Sequence, residues 1–266
     1  MSPMPALPAT IAALILASSA PAFAGDTPDT SATAARLPAS AETRATYERM
    51  GALSRSVFWA TEQEINPADP VAGVRLAQAL REIGRYDQAA TAAEATLTVQ
   101  PTNLEAMLEL GRAHIARGQA FYGVAPLEKA RDQAPRDWRP YSLLGVAYQQ
   151  VRRPDDARAA WNQALALSPD NPDVLANAAL AAMTAGDAPG AEVLLRRAAA
   201  QPTASIKVRQ NLAMVLGLQG KTAEAEQILR RDLPPEAADR NLRWLASRGG
   251  TPVAEATRTW GSLQGG

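Results

Sequence analysis

The sequence has no cysteine, so disulfides, thiolate metal sites, a cysteine nucleophile and a lipid-bearing cysteine are all excluded. There is one histidine, His114. A Ser/His/Asp triad or a histidine-rich metal site therefore has at most one candidate residue. Lysine occurs only at 129, 207 and 221, and no run of like charge is long enough to form a nucleic-acid arm. The 27 basic and 27 acidic residues cancel, so no global field draws the chain to nucleic acid or anionic lipid. Aromatics make up only 5% of the chain, and strand-type alternation of β-branched residues is absent. No phosphate loop, dinucleotide fingerprint or nucleophile elbow is present. No cofactor, metal or catalytic residue is expected.

What the chain does have is alanine, the strongest helix former, and the composition points to an all-α fold. Residues 11–17 form a short apolar run, followed by Ala22-Phe23-Ala24 before Gly25. Small residues at Ala22 and Ala24 suit a signal-peptidase groove, so residues 1–24 read as a signal peptide cleaved before Gly25. The positively charged start usual in such peptides is missing apart from the terminal amine. The run is far short of the ~20 residues needed to span a bilayer. Residues 25–40, rich in Thr, Ser, Ala, Pro and Asp, read as a disordered linker.

Beyond the linker the chain has a period. Pro67, Pro101, Pro135 and Pro169 are spaced by 34 residues. Leu110-Gly111 and Leu144-Gly145 stand at matching distances before their prolines, with Leu76-Ala77 in the same place one period earlier. Ala130 and Ala164 follow the same spacing, as do Leu127 and Trp161. This pattern resembles the tetratricopeptide repeat (TPR), which implies pairs of antiparallel helices stacked into a right-handed solenoid. Small residues on the first helices (Ala77, Gly111, Gly145, Ala179, Ala213) and on the second (Ala89, Gly123, Ala157, Ala191, Ala225) allow close approach. Large residues such as Leu76, Leu110, Tyr148, Trp161, Leu195 and Leu229 fill the space around them. Gly84, Gly118, Gly186 and Gly220 suit positive φ at the ends of first helices, and Arg152-Arg153-Pro154 replaces the glycine once. Asp187 and Thr222 are expected to cap helices, and Pro126 to kink its helix or delay its start.

The expected organisation is a degenerate repeat at 41–69 and five repeats over 70–234. The five fall at 70–103, 104–137, 138–171, 172–204 and 205–234. A capping helix at 235–248, with Leu242, Trp244 and Leu245, precedes a disordered tail at 249–266 that carries Trp260. His114 takes a slot that usually holds Tyr and is expected to be packed rather than reactive.

First helices of such a stack leave one face free. Here that face is expected to carry Val74, Gln78, Arg81, Leu108, Arg112, Ile115, Ser142, Val146, Gln149, Asn177, Leu180, Met183, Gln210, Asn211 and Met214. A clamp for an acidic terminus would want several converging cations, and only Arg81 and Arg112 qualify. The mixture of apolar residues and amides favours an apolar or amphipathic protein segment.

Some stretches go beyond the generic repeat. Ser56-Val57-Phe58-Trp59, Ile65-Asn66-Pro67, Leu76-Ala77-Gln78-Ala79-Leu80 and the run from Trp138 to Tyr148 resemble the TPR proteins of the Tad (Flp) pilus assembly system, the TadD family. So do Gln210-Asn211-Leu212-Ala213 and the closing Arg230-Arg231-Asp232-Leu233-Pro234-Pro235-Glu236. The resemblance spans about residues 45–247 and implies a part in building an adhesive pilus. Members are often outer-membrane lipoproteins. The absent cysteine departs from that pattern and implies a soluble periplasmic form. A TPR scaffold of another envelope complex is the alternative.

Overall fold

The computed structural model describes residues 36–248 and Ala256. The signal sequence with Ala22, Ala24 and Gly25, most of the linker, and all of the tail except Ala256 lie outside the described residues. Described residues between 41 and 247 form thirteen α-helices and no strand. A short α1 (Ala41–Glu48) precedes α2 (Ala52–Ile65), and five helix pairs follow. These are α3 (Pro70–Glu82) with α4 (Tyr86–Val99), α5 (Leu104–Ala116) with α6 (Ala120–Gln133), and α7 (Trp138–Gln150) with α8 (Pro154–Leu167). Then come α9 (Pro172–Thr184) with α10 (Ala188–Ala199), and α11 (Ile206–Leu218) with α12 (Thr222–Asp232). Helix α13 (Pro235–Ser247) closes the stack.

Each helix starts and stops for a local reason that recurs with the period. Asp69, Asn103, Asp137, Asn171 and Ser205 cap α3, α5, α7, α9 and α11, each accepting a hydrogen bond from a backbone N–H of the first turn. The same five helices end where the chain turns left-handed, at Gly84, Gly118, Arg152, Gly186 and Gly220, with φ between 62° and 87°. The residue after each turn donates its N–H back to a carbonyl of the last helical turn, as Arg85 does to Leu80 at 2.8 Å. Proline then opens α8 as expected.

The cap expected at Thr222 is absent, and so is the late start that was one of two outcomes expected from Pro126. Thr222 is the first residue of α12, with Lys221 in the cap position and no side-chain cap bond. Asp187 does cap α10, bonding the Gly190 N–H at 2.9 Å. Helix α6 begins at Ala120, six residues before Pro126, so the proline does not delay it. Pro126 sits inside the helix because the flanking Gly123, Leu127 and Ala130 are buried and hold the segment in place.

Packing follows the small-residue slots. Ala77, Ala89, Ala157, Ala179, Ala191, Ala213 and Ala225 are all fully buried. Gly123 faces Gly111, and a Cβ built on Gly123 would lie 3.2 Å from the Gly111 carbonyl oxygen. A Cβ on Gly111 would meet Leu127 at 2.5 Å, and one on Gly145 would strike the Trp161 indole. The Trp161 indole N–H also donates to the Ser142 carbonyl at 3.2 Å, which ties α8 to α7. Helix α13 lays Ala238 and Leu245 on the last pair, with Leu242 and Trp244 half-buried beside them. At the other end the Glu62 carboxylate is buried and accepts from Ala39 N–H and Arg44, while Tyr47 stacks on Phe58 at 3.9 Å. Residues 39 and 40, which composition assigns to the linker, are thus tied to the fold.

Among the described residues Arg152 is the one non-glycine in the left-handed slot, and a Cβ there crowds the carbonyl. Arg152→Gly should raise the unfolding free energy by about 0.5–1 kcal/mol, net of the extra chain entropy of glycine. Urea unfolding measures this, and a destabilised variant would show that the arginine side chain supplies more than it strains.

Candidate partner-binding wall

Odd-numbered helices pack side by side, α3 on α5, α5 on α7, α7 on α9 and α9 on α11. Even-numbered helices stand further apart and leave clefts between them, as α2 and α4 do around Val57, Ala60 and Leu76. In a bent stack the closer layer is the inner one. The odd helices therefore form the inner wall, which is where the predicted contact face lies.

The predicted residues separate into two groups. Leu108, Met183 and Met214 are fully buried, and Ser142 and Asn211 nearly so. They belong to the core between neighbouring helices, because adjacent odd helices close over them, and they do not line an open surface. Ser142 accepts a hydrogen bond from the Asn177 amide at 3.2 Å, which joins α7 to α9. Val74, Gln78, Arg81, Arg112, Ile115, Val146, Gln149, Asn177, Leu180 and Gln210 remain half-exposed. Of these, Gln149 lines a crevice between α8 and α10 instead. Near the start of the wall, Val71, Val74 and Gln78 line a groove of about 280 Å³ with Glu105 and Glu109 opposite.

Wall electrostatics differ from the expectation for Arg81 and Arg112. Both guanidiniums point at one carboxylate, Glu109, at 2.9 Å and 2.5 Å. Glu109 is buried, so the three groups form a compact unit with one net positive charge spread over two helices. Arg139 is held likewise, by Glu105 at 2.8 Å and Asp137 at 2.7 Å. Burial alone would raise the Asp137 pKa, but its hydrogen bonds from Arg139 win and hold it below the usual carboxylate value. Arg75 pairs with Glu48 at 3.2 Å. The wall's arginines are thus largely neutralised by the chain's own acids and offer little to an acidic terminus. What remains for a partner is a strip of Val71, Val74, Val146 and Leu180 interleaved with amides. Glu109 carries no periodic signature and was missed in the sequence. Its position three residues before Arg112 was the available signal.

His114 is packed, as its slot predicts. It is 5% exposed, its ring lies 5.9 Å from that of Tyr122, and its Nδ1 has no partner. Burial, aided by Arg117, holds its pKa below the ordinary 6.5, so the imidazole stays neutral at pH 7. Among the described residues no group of three His, Cys, Asp or Glu is placed to hold a metal. No described helix is long and apolar enough to cross a membrane.

A group whose folded pKa is lowered stabilises the fold above its unfolded pKa, and that stability is lost as pH falls through about 6.5. Replacing His114 by the leucine found one period earlier at position 80 removes this acid sensitivity. His114→Leu should therefore gain more stability over the parent at about pH 5.5 than at about pH 8. Equal gains at both pH values, in urea melts, would show that protonation of the buried ring is not what weakens the parent.

Comparison with known proteins agrees with this geometry. Family models described as tetratricopeptide repeat match residues 74–137, 142–205 and 206–233. Cellulose synthase operon protein C of Xanthomonas axonopodis pv. citri (strain 306) is 36% identical over 131 residues. The match covers 45% of this chain, and the chain spans only 9% of that protein. Among solved structures, a thermophilic TPR protein of Thermus thermophilus superposes with a TM-score of 0.57 at 22% identity, over 62% of this chain and 90% of that one. MamA of Desulfovibrio magneticus RS-1 gives 0.52 at 21%, over 59% and 90%. The Cut9–Hcn1 hetero-tetramer structure gives 0.61 at 14%, over 68% and 36%. At such identities these structures bear on the fold alone. With its repeats matched over more than half of its length, the chain belongs to the tetratricopeptide-repeat family.

Proposed function

We infer that this protein is a non-enzymatic adaptor, exported to the periplasm, that holds an apolar or amphipathic segment of a partner protein along its inner wall. The observation that carries this reading is the wall itself. It carries half-exposed Val74, Ile115, Val146 and Leu180 on successive odd helices, with amides among them and with Arg81 and Arg112 already paired. An extended or helical segment gains affinity there from apolar anchors, and the amides supply hydrogen bonds that fix its register. The flanking and closing sequences that resemble the TadD family support a part in assembling a Tad/Flp-type pilus or its secretion machinery. The apolar run before Ala22-Phe23-Ala24 supports export, and the sequence offers no cysteine to carry a lipid.

A second reading has one observation in its favour. The 36% identity to a cellulose synthase operon protein supports a scaffold in a polysaccharide-producing envelope complex. Both readings use the same wall and differ in the partner it holds.

Val146→Asp with Leu180→Asp places two charges on the wall without touching the fully buried Leu108. The double variant should lose crosslinking to its partner in cells by at least about tenfold, while circular dichroism stays at the parental helicity. Undiminished crosslinking would remove the inner wall as the binding site. Identification of the crosslinked protein separates the pilus reading from the polysaccharide one.

A further inference from the structure

Two slots of the repeat are filled against its own rule, in opposite senses, and both open on the outer side of the stack. Residues 34 apart hold equivalent places. One slot reads Leu76, Leu110, Leu144 and Leu212 around the stack, and another reads Leu80, His114, Tyr148 and Leu216. In α9 these slots hold Ala178 and Ala182. A crevice of about 440 Å³ lies there between α8 and α10, as one of about 530 Å³ lies between α2 and α4, but this one is floored by the two alanines where that one has Leu76 and Leu80. Ala178 and Ala182 line it together with Trp161, Leu165 and Leu194. Within the five repeats, α8 and α9 are also the consecutive helices in sparsest contact.

The opposite deviation lies at the start of α6. The equivalent positions elsewhere are Asp87-Gln88, Asp155-Asp156, Pro189-Gly190 and Ala223-Glu224, all polar or small. Here they are Phe121-Tyr122, 73% and 61% exposed, with their rings edge to face at 5.6 Å. An exposed aromatic pair is expensive to leave in water, and no feature of the repeat calls for it. One surface thus carries a two-ring projection and an apolar crevice able to receive it.

Their placement suits a two-fold axis. Projection and crevice both lie on the even-helix side, with α8 between them in chain order. The outer face of α8 carries an ion pair, Asp155 with Arg158 at 2.9 Å, whose side chains are 86% and 71% exposed. If two α8 helices cross antiparallel near the axis, the two pairs can exchange partners, each Asp155 meeting the other copy's Arg158, so the charges stay self-complementary. The area is adequate for a modest interface. Phe and Tyr each bury about 150–250 Å² when fully covered. Two reciprocal insertions with their matching walls come to roughly 1,000 Å² in total, the lower end for a specific contact.

We propose that two copies of this chain associate through their outer faces, with Phe121 and Tyr122 of each seated in the crevice over Ala178 and Ala182 of the other. The inner walls stay open, so the dimer presents two of them, and a partner with two suitable segments is held by both at once. The contact involves none of the residues assigned to the inner wall and stands apart from the functional reading above.

Sedimentation equilibrium of the purified chain should show a monomer–dimer equilibrium with a dissociation constant on the order of micromolar. Ala178→Leu with Ala182→Tyr fills the crevice with the residues of the other repeats. That variant should be monomeric at about 100 µM, with a thermal midpoint no lower than the parent's. Phe121→Ser with Tyr122→Ser alters only exposed side chains and should also be monomeric. It decides the question alone if the filled variant does not fold. Because the chain has no cysteine, mixing a Phe121→Cys chain with an Ala182→Cys chain under mild oxidation should give a disulfide-linked mixed dimer. A parent that is monomeric at about 100 µM would overturn the proposal, as would a dimer that survives both double variants. So would a monomeric parent that captures a different protein through Phe121, which would assign the crevice to a foreign partner.

Discussion

The fold depends on how closely two helix backbones can approach. A Cβ at Gly111 would strike the Leu127 side chain and one at Gly123 would press on the Gly111 carbonyl, and the fully buried alanines of the other repeats hold the same place. Close approach is what lets the large neighbours, Trp161 and Leu127 among them, pack over the glycine of the facing helix. The interlock sets each pair, and stacking pairs in one register brings the odd helices together into a continuous wall. No single pair buries enough apolar surface to stand alone, so the wall exists only as a property of the stack. The end caps follow from the same need. Without α13 over Gly217 and the Arg44–Glu62 lock at the start, terminal faces built for a neighbour would meet water.

Much of this was legible in the sequence because the period repeats every steric requirement. A slot that needs a small residue needs it five times, and a left-handed turn is marked by glycine four times out of five. Thr222 misled because a capping side chain one place late looks the same in sequence, whereas Asp69, Asn103, Asp137, Asn171 and Ser205 recur with the period and would have been the surer guide. The late start expected from Pro126 does not occur, because burial of both neighbouring turns outweighs the lost hydrogen bond.

The binding wall was only half legible, for a different reason. Period identifies which helix a residue is on and roughly which way it points, but not how far the next helix closes over it. Leu108, Met183 and Met214 share the heading of Val146 and Leu180, yet the adjacent odd helix covers the first three and leaves the others at the surface. Charge was misread in the same way. Arg81 and Arg112 look available when taken singly, and only the fold shows both spent on Glu109, which reaches across from α5 to α3. A neutral, amide-studded strip is consequently what the inner side offers, whatever polypeptide lies along it.

A repeat also makes its exceptions informative. In a fold without internal periodicity, an alanine in a core or an aromatic on a surface has no standard to be judged against. Here each position has four homologous positions in the same chain, under nearly the same steric demands. Replacing a Leu and a Tyr by Ala178 and Ala182 forfeits several kcal/mol of burial relative to the neighbouring repeats, and Phe121 and Tyr122 expose apolar area that the polar or small residues at the equivalent positions do not. Neither change improves the isolated stack, since the first loosens the α8–α9 contact and the second lowers solubility. The two deviations are opposite in shape and lie on the same side, so a single association that buries both offsets what each costs alone. Ordinary drift in a solenoid loosens or tightens sites independently, with no reason for a missing volume to be matched by a surplus one two helices away.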